Sequence, residues 1–286
     1  MSRWSERERA ADRGRRIGFV PTMGCLHEGH LALVRAARRR CDRLVVSIFV
    51  NPTQFGPGED YRTYPRSLAR DRRLLRAEGV DVLFAPARAA MYRPGHSTFV
   101  DVTGLTGTLC GRHRPGHFRG VATVVAKLFA IVRPHVAVFG RKDAQQALVI
   151  ERMTRDLDLD VRVVVVPTVR EPDGLAMSSR NRRLTAAQRR EAPVLYAALE
   201  HCRRRVRAGE RSVARLRREM IDMIGCVRRA RLQYLEFVDA ATLRPVRRIE
   251  GRVLVAVAAH FGRVRLIDNV LVSGQNRVTR SMNAKE

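Results

Sequence analysis

The sequence of 286 residues has few cysteines, few aromatic residues and no long uninterrupted apolar run. Its five cysteines are odd in number, widely spaced and without a Cys-x-x-Cys pair. This pattern argues against a disulfide framework and a structural zinc site, and favours free thiols in a reducing compartment. A transmembrane helix is not expected, because no apolar stretch is long enough to cross a bilayer. Residues 1–10 lack the apolar core of a secretion signal, so we expect a cytoplasmic protein.

Acidic residues and lysine are also scarce. The chain has 28 acidic and 55 basic residues, a net charge of +27, and Lys127, Lys142 and Lys285 are its only lysines. Such a charge attracts polyanions, so a basic RNA-binding module is one alternative function. The arginines are scattered over both halves and aromatics make up only 6% of the chain, however. We therefore interpret most of the arginines as a solvated basic surface and expect no specific nucleic-acid or membrane partner.

Apolar segments of strand length alternate with helical segments through the first half of the chain. This pattern is typical of an α/β fold with a Rossmann-like parallel sheet and right-handed crossovers. The predicted strands are residues 16–20, 44–50, 80–85, 96–102, 134–139 and 161–166, and the predicted helices are 31–37, 67–78 and 121–132.

The pattern changes in the second half. Thr185 is a predicted N-cap for one helix reaching about Arg207, and a helix at 213–229 and strands at 232–238, 252–260 and 264–271 follow. Helices followed by hairpin strands predict a smaller α+β domain, which we place at residues 170–286 after a catalytic domain at 1–169. We expect residues 1–14 to form a frayed or short surface helix and residues 274–286 to be loose.

The stretch from Pro21 to His30 joins the first strand to the first helix. Such a junction lies at the carboxyl edge of a parallel sheet, where the free N–H groups of a helix N-terminus attract an anion. Gly24 and Gly29 allow the backbone to approach a ligand closely. The stretch therefore predicts a phosphate site, and the chain is predicted to use ATP.

His27 and His30 are three residues apart, so one helical turn places both on the same face. Two imidazoles there can donate hydrogen bonds to charge that develops on a phosphorus atom. Zinc ligation and two solvated histidines are the alternatives, although no third ligand has the spacing for zinc. His-x-Gly-His after a strand and a glycine turn resembles the signature of the nucleotidyltransferase superfamily. The resemblance implies adenylyl or cytidylyl transfer and leaves the acceptor open.

Further polar clusters follow other predicted strands. Asn51 to Gly56 comes after the second strand, and the neutral amide of Gln54 is suited to hydroxyl and carboxylate groups of a small substrate, although an ordinary polar loop is the alternative. Gly140 to Gln146 follows a later strand, where Lys142 and Asp143 could contact phosphate and ribose and Gln146 could reach a substrate. Arg114 to Gly120 opens a long helix, with His117 near its positive end.

The loop from Arg170 to Asn181 contains Ser178, Ser179 and Arg180. Two hydroxyl groups followed by a fixed cation suit the oxygens of a leaving pyrophosphate. Taken alone, the same residues could be an ordinary helix-capping loop.

The ordered set of these motifs resembles the pantoate–β-alanine ligase family from about Arg16 to about Val272, including Leu266 to Asn269. The resemblance implies a two-step reaction: pantoate attacks the α-phosphate of ATP to give pantoyl adenylate, and β-alanine then displaces AMP to form pantothenate. It also implies Mg²⁺ with the ATP, a homodimer formed through the N-terminal domains, and a C-terminal domain that closes as a lid.

The resemblance implies roles for individual residues as well. His30 and His27 would be catalytic, with His30 the proton donor. Gln54 and Gln146 would bind pantoate, and Gln54 would also bind β-alanine. The implied ATP site consists of Met23, Gly24, Cys25, Leu26, His27, Glu28, Gly29, His30, Gly140, Arg141, Lys142, Asp143, Val169, Met177, Ser178, Ser179 and Arg180.

The sequence departs from the family pattern at three positions. Arg141 stands where many members have glutamate, Ala144 where an aromatic residue is frequent, and Arg70 where an acidic residue often precedes the counterpart of Asp71. An Arg141 side chain that pointed inward would alter nucleotide affinity, whereas a backbone role would leave ATP binding intact. Another nucleotidyltransferase with a different small acceptor is the second alternative function.

Overall fold

The computed structural model describes residues 14–274, which form two compact units. The first unit contains residues 14–172 and 176–182, and the second contains residues 173–175 and 183–274. The expectations for residues 1–13 and 275–286 lie outside the described residues. The assignment of a catalytic domain to residues 1–169 and a lid to residues 170–286 stays a prediction.

The first unit is built on a parallel sheet, as the alternating pattern predicts. Its strands are β1 (Ile17–Thr22), β2 (Arg43–Ile48), β3 (Val82–Phe84), β4 (Val136–Gly140) and β5 (Arg162–Val166), in the order β3-β2-β1-β4-β5. All neighbouring strands pair in parallel. The chain order reverses between β1 and β4, which is where ligands bind in folds of this kind.

Helices flank these strands in the chain. They are α1 (Glu28–Arg38), α2 (Leu68–Ala77), α3 (Arg88–Met91), α4 (Leu109–His113), α5 (His117–Val132) and α6 (Ala144–Asp156). Short 3₁₀ helices cover Pro52–Gln54, Arg141–Asp143 and Ser179–Arg183.

The sheet is apolar on both faces because helices cover both. Val20 of β1 packs in one core with Val34 of α1 and Val46 of β2, and all three are fully buried. Phe19 meets the ring of Phe129 of α5 edge-on, with 6.4 Å between the ring centres. These near-continuous apolar strands are what a buried parallel sheet requires.

The predicted strand at residues 96–102 is wrong, although the sequence alternates there. No strand forms over these described residues. The backbone N–H of Val100 donates to the Thr123 hydroxyl on α5 at 2.9 Å, so a side chain rather than a neighbouring strand takes this hydrogen bond. The rings of His96 and Phe99 meet edge-on, 5.3 Å apart. The alternation of apolar and polar residues therefore belongs to an irregular segment that packs against α5, not to a strand.

The second unit is α+β, as predicted. It contains α7 (Ala186–Glu191), α8 (Val194–Arg207) and α9 (Val213–Gly225), followed by the antiparallel strands β6 (Ala230–Asp239), β7 (Arg252–Phe261) and β8 (Val264–Ser273). Leu199 of α8, Leu216 of α9 and Phe237 of β6 belong to one fully buried core.

The single helix predicted from Thr185 to Arg207 is wrong, because two helices occupy this range. Thr185 does cap the first, and its side chain and that of Gln188 form a reciprocal capping box. Pro193 separates α7 from α8, since proline lacks the N–H that a continuous helix needs. No helix within residues 14–274 is long and apolar enough to cross a membrane.

Candidate active site

The loop between β1 and α1 is fixed by hydrogen bonds to neighbouring elements. The Thr22 hydroxyl donates to the carbonyl of Ser47 on β2 at 2.8 Å and accepts the N–H of Gly24 at 3.2 Å. Gly24 has φ +80°, and a Cβ there would lie 2.9 Å from the Ile48 side chain. Both the backbone angle and the lack of space therefore require glycine.

Asp71 on α2 binds the backbone of the same loop. Its buried carboxylate accepts the backbone N–H groups of Cys25 at 2.7 Å and Leu26 at 2.9 Å. Cys25 has φ +51°, in the left-handed region, and these bonds help to hold it there. Arg70 donates to the carbonyl of Leu26 at 2.8 Å. No local sequence pattern indicates this role for Asp71, because its carboxylate meets the backbone of residues that lie far away in the sequence.

The two histidines of the His-x-Gly-His motif form a reciprocal cap at the start of α1. His27 is the N-cap, and its Nδ1 accepts the N–H of Gly29 at 3.1 Å. His30 lies in the first turn, and its Nδ1 accepts the N–H of His27 at 3.3 Å. Since each Nδ1 accepts a hydrogen bond, each neutral ring carries its proton on Nε2. Both imidazoles, with ring centres 4.1 Å apart, are thus set as Nε2–H donors.

Burial keeps both rings neutral. It lowers the pKa of His30 to about 3, helped by the neighbouring His27 and by Lys142. It also lowers the pKa of His27 to about 4, and the positive charges of Lys142 and Arg182 act in the same direction. At neutral pH each neutral ring can therefore donate a hydrogen bond from Nε2.

Gln54, in the 3₁₀ helix after β2, has a buried and oriented side chain. Its Oε1 accepts the amide of Asn51 at 3.1 Å, and its Nε2 contacts the sulfur of Met23 at 3.2 Å. Asn51 also donates to the carbonyl of Gly120 on α5 at 3.0 Å. A Cβ on Gly120 would lie 2.3 Å from the carbonyl oxygen of Thr53, so only glycine lets the helix come this close.

Some of the residues after β4 line the cavity, and others pack into the surrounding structure. Gly140, Lys142 and Asp143 line the cavity, and Lys142 Nζ lies 3.9 Å from an Asp143 oxygen. Gln146 on α6 lines it too. The adjacent Gln145 is buried and bonds instead to the backbone of Leu105, Thr108 and Cys110.

The segment that follows β5 contributes a second group of donors. Met177 N–H donates to the carbonyl of Val169 at 3.0 Å, so the segment turns back on itself. Ser179 donates to the carbonyl of Cys25 at 3.1 Å, which ties the segment to the loop after β1. Arg180 is paired with Asp60 through two hydrogen bonds of 3.1 and 2.9 Å.

One cavity of the first unit brings most of the predicted site residues together. It lies at the carboxyl ends of β1, β2, β4 and β5. The predicted residues that line it are Met23, His27, Gly29, His30, Gln54, Gly140, Lys142, Asp143, Gln146, Val169, Met177, Ser178, Ser179 and Arg180. Asn51, Tyr64, Arg114 and His117 line it as well and were given no ligand role from the sequence.

The other predicted ATP residues do not line this cavity: Gly24, Cys25, Leu26, Glu28 and Arg141. Cys25 and Leu26 turn their side chains into the core, and Glu28 is exposed and paired with Arg35. A role for Cys25 and Leu26 would therefore come through their backbone. Within residues 14–274, no group of three His, Cys, Asp or Glu side chains is arranged to hold a metal ion.

Comparisons with known proteins identify the relatives of this chain. The family model described as pantoate-beta-alanine ligase matches residues 1–271. A pantothenate synthetase of Heliobacterium modesticaldum is 58% identical over 95% of this chain and 96% of its own. One from Thermotoga neapolitana is 54% identical over the same shares.

Solved structures match as well. The pantothenate synthetase of Thermus thermophilus has a TM-score of 0.90 and 52% identity, over 93% of this chain and 96% of its own. The pantoate-beta-alanine ligase of Francisella tularensis, described in complex with beta-gamma ATP and beta-alanine, has a TM-score of 0.76 and 34% identity, over 93% and 95%.

Proposed function

Because the chain belongs to the pantoate–β-alanine ligase family, we propose that its cavity joins pantoate to β-alanine at the expense of ATP. One observation supports the proposal most directly: the same cavity contains hydrogen-bond donors, cations and neutral amides. The donors are Nε2–H of His27 and His30, the cations are Lys142 and Arg180, and the amides are Gln54 and Gln146. The charged groups suit a triphosphate, and the amides suit a small hydroxy acid.

In the first step, a carboxylate oxygen of pantoate attacks the α-phosphorus of ATP, and the bond to the β-phosphate oxygen breaks. Pyrophosphate leaves with that electron pair. His30 and His27 donate hydrogen bonds from Nε2 to the oxygens on which negative charge grows, and Lys142 supplies a positive charge there. Ser178, Ser179 and Arg180 bind the departing pyrophosphate.

In the second step, the amine of β-alanine attacks the acyl carbon of pantoyl adenylate. The carbon–oxygen bond to AMP breaks, and the amide of pantothenate forms as the nitrogen loses its proton. Gln54 and Gln146 hold the pantoyl group through both steps, and Gln54 also contacts β-alanine. Neutral amides suit this task because they add no charge that would repel the adenylate.

We also propose that Mg²⁺ accompanies the ATP. Asp143 carries the one carboxylate among the described residues that line the cavity, so the ion would be held mainly by phosphate oxygens, with Asp143 beside them. When bound, Mg²⁺ screens the charge of the triphosphate.

We also propose that the protein is a homodimer and that it is located in the cytoplasm. All five cysteines are free thiols, which fits a reducing compartment. The dimer is expected from the resemblance to the family, and light scattering on the purified protein would test it.

The test of the function is pyrophosphate release from ATP with pantoate and Mg²⁺ present and β-alanine withheld. One stoichiometric burst is expected, and β-alanine should then start steady turnover with release of AMP. Omitting pantoate is the control. Pyrophosphate release that ignores pantoate, or that needs a different acid, would contradict the proposal.

A further inference from the structure

Two adjacent acidic residues, Glu59 and Asp60, each hold one arginine that lines the cavity. Glu59 binds Arg114 through bonds of 2.6 Å to Nε and 2.5 Å to an Nη atom. Asp60 binds Arg180 through bonds of 3.1 Å to Nε and 2.9 Å to an Nη atom. Both pairs are bidentate, which is the arrangement that fixes the plane of a guanidinium group.

Arg114 is engaged on several sides. Beside Glu59, it donates to the backbone carbonyl of Gln54 at 3.2 Å and contacts Nε2 of His117 at 3.0 Å. Since a guanidinium is always a donor, Nε2 of His117 must accept this bond. Nδ1 of His117 then carries the proton, which it donates to the same carbonyl of Gln54 at 2.7 Å.

The charges in this network are consistent with that assignment. Burial, together with the positive charge of Arg114, lowers the pKa of His117 to about 4, so its ring is neutral at neutral pH. Burial acts to raise the pKa of Glu59, but its bonds to Arg114 outweigh burial and lower it, so Glu59 is ionised. The Gln54 carbonyl therefore accepts one hydrogen bond from Arg114, whose charge Glu59 neutralises, and one from His117, which Arg114 holds in place.

The carbonyl that receives both bonds belongs to Gln54, whose side chain is the proposed contact for pantoate. The network thus fixes the backbone of Gln54, while Asn51 fixes its side chain. Asp60 acts on a different part of the cavity, because Arg180 belongs to the segment proposed to bind pyrophosphate. Glu59 is thus linked to the proposed pantoate site, and Asp60 is linked to the proposed pyrophosphate site.

We propose that Glu59 is a positioning residue for pantoate, acting through Arg114 and His117 on Gln54, and that Asp60 is a positioning residue for ATP, acting through Arg180. This inference rests on the proposed function, since it uses the roles assigned there to Gln54 and Arg180. Neither carboxylate contacts the reacting atoms.

The test is a pair of isosteric variants, Glu59→Gln and Asp60→Asn, with KM and kcat measured for each substrate. Glu59→Gln should raise the KM for pantoate about tenfold, the effect of losing one charge-assisted hydrogen bond, and leave the KM for ATP within about twofold. Asp60→Asn should do the reverse. A merely structural role would change both constants together in both variants.

Further variants separate the possible failures. Gln54→Ala should raise the KM for pantoate, and if it does not, the proposed role of Gln54 fails and the role of Glu59 that depends on it fails too. If Gln54→Ala acts on pantoate and Glu59→Gln does not, the inference is overturned. Should Glu59→Gln fail to fold, Arg114→Lys keeps the charge but cannot bridge Glu59 and His117, and the same selective rise is expected. An equal change in both KM values would overturn the proposal.

Discussion

Replacing His30 separates the two tasks that its ring performs. Nδ1 accepts the N–H of His27 and so completes the helix cap, while Nε2–H faces the proposed reaction. His30→Ala removes both. Loss of the cap should lower the free energy of unfolding by about 1 kcal/mol. Loss of a positioned donor to the developing charge should lower kcat roughly 10²- to 10³-fold, about 2.7 to 4 kcal/mol in the barrier.

His30→Gln is the matched variant. Glutamine at this position of a capping box can accept the N-cap N–H, and its amide can also donate. We therefore expect near wild-type stability and activity between that of His30→Ala and wild type. His201→Ala is the control for loss of a histidine elsewhere, since His201 pairs with Glu219 at 2.8 Å in the second unit.

The assay is pyrophosphate release at saturating ATP and pantoate, with thermal unfolding recorded for each variant. A folded His30→Ala protein with kcat within about twofold of wild type would refute the role assigned to Nε2–H. A His30→Gln protein as inactive as His30→Ala would show that the amide cannot replace the donor and would limit the conclusion to the imidazole.

Three further predictions concern charge. Gln54→Glu should bind pantoate more weakly than Gln54→Ala, because a buried carboxylate adds repulsion to the loss of a donor; equal KM values for pantoate in Gln54→Glu and wild type would remove Gln54 from the site. Lys142→Ala and Arg180→Ala should each raise the KM for ATP far more than Arg39→Ala does, at two salt concentrations. The reason is that Arg39 is exposed, and salt screens exposed charges over distances of about 8 Å. An equal loss in Arg39→Ala would favour the alternative function of polyanion binding. The pKa of His30 is lower in the folded than in the unfolded state, so its contribution to stability is present above about pH 6.5 and is lost as pH falls toward 3. We therefore expect the free energy of unfolding, measured with urea, to fall less steeply between about pH 7 and pH 5 in His30→Gln than in wild type, by up to about 1.4 kcal/mol per pH unit. An unchanged pH dependence in His30→Gln would contradict the low pKa of His30.

Local patterns predicted the parts of the site that local chemistry determines. The strand, glycine turn and helix start around His27 and His30 are contiguous, and parallel strands bring their carboxyl ends to one edge. For the same reason the residues after β2 and β4 could be placed in one cavity with them. The identity of the acceptor could not be predicted from these patterns, and it came from the ordered resemblance.

The contacts that could not be predicted are long-range ones. Asp71 meets the backbone of Cys25 across 46 residues, and Arg180 meets Asp60 across 120. Periodicity also misled where a tertiary contact replaced a strand partner, as for Val100 and the Thr123 hydroxyl. Arg38, at the end of α1, pairs with Asp81 at 2.6 Å and donates to the carbonyls of Cys41 and Asp42, which its sequence neighbours do not indicate.

The central claim is that pantoate is activated by adenylation in this cavity. Pantoate labelled with ¹⁸O in its carboxylate tests it most directly, because the attacking oxygen stays on the α-phosphorus when β-alanine displaces AMP. Mass spectrometry after turnover with ATP and β-alanine should find one ¹⁸O atom in AMP and none in pyrophosphate. Label in inorganic phosphate with release of ADP, or unlabelled AMP, would contradict the account.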